Sequence, residues 1–519
     1  MSLIKGLQKL AALQFKGVHG DAIAMIRADV NDPVPYCLLG FVAAEHGNHI
    51  KAGELFARAS TLAPGNGRYL AFHAQALTVL GQHIQATQIA DKAAEQPIND
   101  AYIADTIGVV YSRTGFHEKA VPFFEKAVKL DAGPANFHYN LAASQQFLGN
   151  FISAKAAYRE TIDRDPHHHR AWSSLIGLEK QTASANHIET LLPLFEELSN
   201  HTDAALHFGH AIAKSLEDLG QYPQSLDWLR KAKVEKRASL GAKAGGYDDF
   251  FAAAKQLLVP LGEEKKRLPD EAPIFIFGLP RTGTTLVDRI LSSHRDVTAA
   301  GELNMFAGLV KEAVQSPSNM VLDADTLIRA AGDPLSGIGQ DYLNNTKELA
   351  RGAMRMTDKM PLNFFYAGLI HRALPNARLI ALRRGAMDSC LSNYRQLFTV
   401  QYSYYNYTFS LEETARFYRG FDDLICHWRR VLPADRFMEV CYEDIVLDQE
   451  NQTRKLLDFC DLSWDSACLR FHENTAPVST ASSVQVRQPL YTGSIGRWKK
   501  YGKALDGLKN ALGDLADQD

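Results

Sequence analysis

The residue types and spacings that could do chemistry lie in the second half of the chain. Gly278 and Gly283 bracket a Gly/Thr-rich turn between the apolar run Ile274-Phe275-Ile276-Phe277 and an apolar helical pattern. Strand, glycine loop and helix is the layout in which backbone N–H groups and a helix N-terminus face an anion. The Gly-x4-Gly spacing fits a nucleotide-binding loop, but Thr284 stands where a lysine would serve a γ-phosphate, and Arg281 lies within the loop. Arg384 and Ser392 follow a second β-prone run, ARLIALRR, and Asp388 and Arg395 share that helical stretch. An arginine at a strand end and a serine on the next helix can converge on a second anion. Glu302 lies 21 residues after Arg281, so a helix from Thr285 and a return loop can bring its carboxylate back over the anion. Lys359 stands just ahead of Pro361, and the stretch SSVQVRQPLYTGSIGRWKKY adds Arg487, Arg497, Lys499 and Lys500. A lone glutamate or basic run is commonly a solvated face; here the argument rests on their joint occurrence.

Together these residues offer two anion sites and no obvious metal site. A kinase or NTPase needs carboxylates to place Mg²⁺ and a lysine for the γ-phosphate. Here the loop lacks the lysine, and the second run ends in Arg383-Arg384-Gly385, not in an aspartate. A ligand with a short 5′ arm and a separate 3′-phosphate suits the arrangement better.

These residues need a scaffold. From Pro273 onward the β-prone runs IFIFG, ARLIALRR and RFMEVCYED alternate with helical patterns, which predicts a parallel sheet with helices on both faces and anions at the carboxyl ends of its strands. The first half repeats itself. Gly47, Gly81, Gly115 and Gly149 are 34 residues apart, the length of a tetratricopeptide repeat. Seven residues before each glycine stand Gly40, Ala74, Gly108 and Ala142; nine after it stand Phe56, Ala90, Phe124 and Tyr158. A looser repeat follows at Gly220, and an earlier helix pair is expected near residues 4–30. The domains are read as a repeat array over 1–235, a Gly/Ala/Lys-rich linker over 236–270 and an α/β domain over 271–519. Stacked repeats leave a concave face that typically holds a peptide or another protein.

At 519 residues the chain exceeds one typical core. A net charge of −3 gives no support for nucleic-acid binding. The six cysteines are scattered without a C-x-x-C pair, which fits a reducing compartment and argues against a zinc ribbon or disulfide framework. No window reaches ~18 apolar residues and the N-terminus lacks a signal-peptide core, so no transmembrane segment and a cytoplasmic location are expected.

Residues 273–510 resemble the sulfotransferases that use 3′-phosphoadenylyl sulfate, and within them most closely the tyrosylprotein branch. PRTGTTL resembles the family's loop for the 5′-phosphosulfate, and RRGAMDSCLS its 3′-phosphate motif. Glu302 matches the glutamate of the tyrosylprotein branch, Lys359-Met360-Pro361 its catalytic Lys-x-Pro, and Tyr442-Glu443 its Tyr-Glu strand end. Ser482, Gln485-Val486 and Arg497-Trp498 match its C-terminal pattern. There are departures. Thr282 stands where that branch has serine, Arg395 lies one place earlier than its basic residue, and Arg497 replaces a lysine. A repeat array stands in place of a Golgi anchor, as in similar bacterial chains.

The resemblance implies a tetratricopeptide solenoid followed by a P-loop-type α/β sulfotransferase domain, with no metal. It implies Glu302 as general base, Lys359 on the bridging oxygen and Ser482 assisting. Arg281, Thr282, Gly283, Thr284 and Thr285 would hold the 5′-phosphosulfate; Arg384 and Ser392 would select the 3′-phosphate; Tyr442, Gln485 and Arg497 would close over the nucleotide. The expected acceptor is protein tyrosine, recruited by the repeat face. Three alternatives stay open: a carbohydrate, lipid or other small hydroxyl acceptor; a repeat scaffold with an inert second domain; and a nucleotide kinase, which requires Mg²⁺. Every donor contact so read lies after Pro280.

Overall fold

The computed structural model describes residues 3–241, 247–257, 272–318, 320, 322–333, 335, 337–350, 352–398, 403–474, 476 and 484–518. The chain divides into two compact units, Met1–Leu175 and Ile176–Asp519. Among the described residues no helix is long and apolar enough to cross a membrane.

The first unit is helical throughout, and its periodic residues explain why. After the helices Leu3–Ala11 and Phe15–Ala28 come four antiparallel pairs, beginning with Pro33–Glu45 and His49–Leu62 and closing with Ala135–Leu148 and Phe151–Arg164. Between the helices of each pair sits one of the recurring glycines, at φ +74°, +74°, +87° and +85° for Gly47, Gly81, Gly115 and Gly149. The residue after each glycine donates its N–H back across the helix end, Asn48 to Ala43, Gln82 to Leu77, Phe116 to Tyr111 and Asn150 to Gln145, all at 2.8–2.9 Å. This is a left-handed helix stop that glycine adopts without a Cβ penalty. The small residue seven places earlier has a different cause. A Cβ on Gly40 would stand 2.8 Å from the Phe56 ring, and one on Gly108 2.6 Å from the Phe124 ring.

The second unit contains a further pair, Thr202–Asp218 and Tyr222–Leu240, with Gly220 at φ +77° and the same closing bond from Gln221 N–H to the Leu216 carbonyl. Beyond it lies a five-stranded sheet: β1 Ile274–Gly278, β2 Val297–Ala299, β3 Arg355–Asp358, β4 Arg378–Arg383 and β5 Phe437–Cys441. All pairings are parallel, in the order β2-β3-β1-β4-β5. Alternate side chains of β1 and β4 serve two cores. Phe275, Phe277, Leu379 and Ala381 enter one; Ile274, Ile276, Ile380 and Leu382 enter the other, so the sheet is covered on both faces. Because every strand runs the same way, their carboxyl ends share one edge, and the loops that leave that edge carry the residues of interest.

Candidate active site

The turn after β1 is shaped by close approach. A Cβ on Gly278 would lie 2.5 Å from the Leu382 carbonyl of β4, and one on Gly283 2.7 Å from the Tyr442 ring. Arg281 holds φ +69°, a region that non-glycine residues seldom occupy and that recurs at ligand-binding turns. Thr282 is fully buried and its hydroxyl donates to the Leu279 carbonyl at 2.6 Å, so it braces the turn from behind. Thr284 opens the helix Thr284–Ser292, with Gly283 as its left-handed N-cap. The helix start therefore faces outward over the end of β1.

Over that helix start lies a cavity of about 210 Å³. Arg281, Gly283, Thr285, Arg384, Ser392, Tyr442, Gln485 and Arg497 all line it, from four separate parts of the second unit. Thr282 and Thr284 do not line it; they sit behind and at the base of the turn. Arg384, only 9% exposed, donates to the Arg281 carbonyl at 3.0 Å and the Ser494 carbonyl at 2.6 Å, with its guanidinium 4.9 Å from the centre of the Tyr442 ring. Its Nε is buried without a hydrogen-bond partner among the described residues. The neighbouring Arg383 points elsewhere, to Asp422 and Glu439. Asp388, on the helix Ala386–Arg395, accepts from the Gly496 N–H at 2.6 Å and the Trp498 N–H at 3.0 Å, which fixes the C-terminal segment over the cavity. Tyr442 hydroxyl meets Ser494 hydroxyl at 2.7 Å. Burial, with Arg384 and Arg395 nearby, lowers the pKa of Arg281 to about 10.

Glu302 and Lys359 form a second centre. Lys359 leaves the end of β3, is 1% exposed, and its ammonium pairs with the Glu302 carboxylate, which follows the end of β2. Two buried carboxyls lie near Lys359. Asp288, on the loop helix, accepts from Thr357 hydroxyl at 2.6 Å; Asp358 accepts from Tyr342 hydroxyl at 2.7 Å. Burial raises the pKa of both, that of Asp358 to about 7. Asp288 lies one turn beyond Thr285, so the helix that contributes to the cavity also carries a carboxyl near Lys359. Ser482 lies outside the described residues.

Sequence reasoning did not anticipate Asp288 and Asp358 near Lys359, nor Lys214, which also lines the cavity. Asp358 had a signal, since it directly precedes the lysine. Lys214 had none, because nothing near it in sequence marks an anion site.

The sulfotransferase family model matches residues 273–466, from the start of β1 through the Tyr442 turn. Tetratricopeptide repeat models match residues 103–134 and 135–168. The chain carries a sulfotransferase-family domain behind tetratricopeptide repeats. A protein of Aquifex aeolicus (strain VF5) is 29% identical over 374 residues, covering 69% of this chain and 47% of its own. The protein-tyrosine sulfotransferase of Drosophila melanogaster is 26% identical over 241 residues, 43% of this chain and 46% of its own. The chain thus spans about half the length of these curated relatives. Among solved structures, the sulfotransferase domain of the Synechococcus PCC 7002 olefin synthase aligns at 19% identity and a TM-score of 0.36, over 50% of this chain and 98% of its own. Both proposed centres of this sulfotransferase domain, at the turn and at the Glu302–Lys359 pair, fall inside the matched span, with Gln485 and Arg497 beyond it.

Proposed function

We propose that the domain transfers a sulfuryl group from 3′-phosphoadenylyl sulfate to an acceptor hydroxyl, and that the acceptor is a tyrosine of another protein. One observation carries the reading: a cation-lined cavity and a pair of buried Lys359 with exposed Glu302 both lie at the carboxyl ends of one parallel sheet. The helix start and Arg281 suit the 5′-phosphosulfate, and Arg384 with Ser392 suit the 3′-phosphate. The unpartnered Nε of Arg384 is a donor for such an oxygen.

In the reaction, the acceptor oxygen forms a bond to sulfur as the bond from sulfur to the 5′-phosphate oxygen breaks. Adenosine 3′,5′-bisphosphate leaves with the electron pair, and the acceptor's proton passes to Glu302. The Lys359 ammonium offsets charge on the departing oxygen. A phenol, with a pKa of about 10, gives up its proton to a carboxylate more readily than an alkanol does. The likeness to protein-tyrosine sulfotransferases supports the tyrosine acceptor, and the repeat array supports a peptide-holding role. Six cysteines outside any disulfide fit a reducing, cytoplasmic setting.

The test is transfer of ³⁵S from labelled donor to tyrosine peptides, to proteins and to small molecules of a cell extract, with and without EDTA. Label on protein tyrosine, unaffected by EDTA, is expected. Label confined to small hydroxyl compounds would overturn the tyrosine acceptor. Loss on chelation with recovery on Mg²⁺ would overturn the metal-free mechanism.

A further inference from the structure

The helix Thr202–Asp218 repeats the glycine-closed geometry of the first unit, yet one of its side chains, Lys214, lines the cavity and another, Glu217, bonds two residues that line it. Lys214 lines the cavity, and its ammonium is held at 2.5 Å by Asp218, one turn on. Asp218 in turn accepts the Gln181 N–H at 2.9 Å, so the lysine rests on a fixed carboxylate. Glu217, 4% exposed, takes bonds from three partners: Arg395, Arg497 at 2.7 and 3.0 Å, and Tyr501 hydroxyl at 2.9 Å. Arg395 and Arg497 both line the cavity, and Arg395 lies one turn beyond Ser392 on the same helix.

A buried carboxylate persists only where charged donors compensate its lost hydration. Glu217 meets that condition. Burial opposes its ionised form, but Arg395 and Arg497 outweigh it and hold the carboxyl below its ordinary range. The relationship is reciprocal. The cavity gathers several guanidiniums that repel one another, and Glu217 fixes two of them in place before an anion arrives.

We propose that this helix belongs to the donor site: Lys214 contacts the 3′-phosphate end of the nucleotide directly, and Glu217 is a positioning residue that holds Arg395 and Arg497 toward it. The assignment rests on the donor reading above. It makes a helix of repeat type part of nucleotide recognition, which the family's motifs leave out.

The test is calorimetry on the full chain with adenosine 3′,5′-bisphosphate and with AMP, beside melting curves and donor KM and kcat. Lys214→Met should weaken the bisphosphate by about tenfold, the scale of one charge-assisted contact, and AMP by less than about twofold. Lys214→Arg should restore the bisphosphate. Glu217→Gln should weaken the bisphosphate at least as much and raise donor KM more than it lowers kcat. Lys214→Met with unchanged affinity, or with equal loss for both nucleotides, would overturn the contact while leaving the donor reading intact. A wild-type chain that binds neither nucleotide would overturn both. If Glu217→Gln fails to fold, the lysine variants decide.

Discussion

Lys359 donates its ammonium to the Glu302 carboxylate across the ends of the neighbouring strands β3 and β2. The two groups proposed to act at opposite sides of the transferred sulfur therefore neutralise one another at rest.

Glu302→Gln keeps the shape of the pair and removes the basic oxygen. Turnover should fall by about 10²–10⁴-fold, the usual contribution of a general base. Affinity for adenosine 3′,5′-bisphosphate should stay within about twofold of wild type, since Glu302 does not line the cavity. Rate and calorimetry measured together check this, and normal turnover would remove Glu302 from the mechanism.

Arg384→Ala should weaken the bisphosphate much more than AMP, by about 1.5–3 kcal/mol for the lost charged contact. It should also lower the melting temperature, because the Arg281 and Ser494 carbonyls lose their donor. Equal losses for the two nucleotides would separate this arginine from the 3′-phosphate.

Asp358 gives a pH prediction. Its carboxyl is raised from 3.8 to about 7 by burial, so between these values the folded chain holds a proton that the unfolded chain has released. Stability contributed by this group is full below about pH 4, declines as pH rises, and is lost above about pH 7. Asp358→Asn removes the titration and can keep the bond from Tyr342. Thermal melts from pH 5 to 8 should show the variant gaining on wild type as pH rises, then levelling. A constant difference across that range would contradict the raised value.

Gly81→Ala should destabilise the first unit by about 1–2 kcal/mol, the cost of a left-handed residue with a Cβ. Nothing lies within 4 Å of that Cβ, so the cost is conformational, and Gly81→Asn should cost less because asparagine tolerates the same φ. Chemical denaturation distinguishes the pair. Identical losses would mean that packing, not backbone, selects the glycine.

What could be read in advance follows the range of the interactions. The repeat glycines act within their own turn, so a fixed 34-residue period exposes them. The loop from Gly278 to Thr285, and Arg384 with Ser392, each sit at one strand–helix junction, and junctions carry local signals. The strands β2 and β3, with three and four residues, are too short to leave a period, and only the three longer runs were legible. Lys214 and Glu217 were invisible for the opposite reason. Glu217 meets partners 178 and 280 residues away, and no spacing rule reaches that far. The proposal for Lys214, which lines the cavity, would add one donor contact ahead of Pro280 to those expected after it.

The strand order β2-β3-β1-β4-β5 has a consequence for synthesis. Each glycine-closed helix pair satisfies its backbone within its own few dozen residues, so the pairs can form one after another as the ribosome delivers them. The sheet cannot. β1 is its centre, yet both neighbours of β1 come later in the chain, and β3 must enter between β1 and a β2 already made. Until then the run Ile274-Phe275-Ile276-Phe277, fully buried in the finished protein, waits without partners. The nascent chain thus passes through a stage with an ordered helical front and an exposed, β-prone centre, the stage at which chaperones would find it.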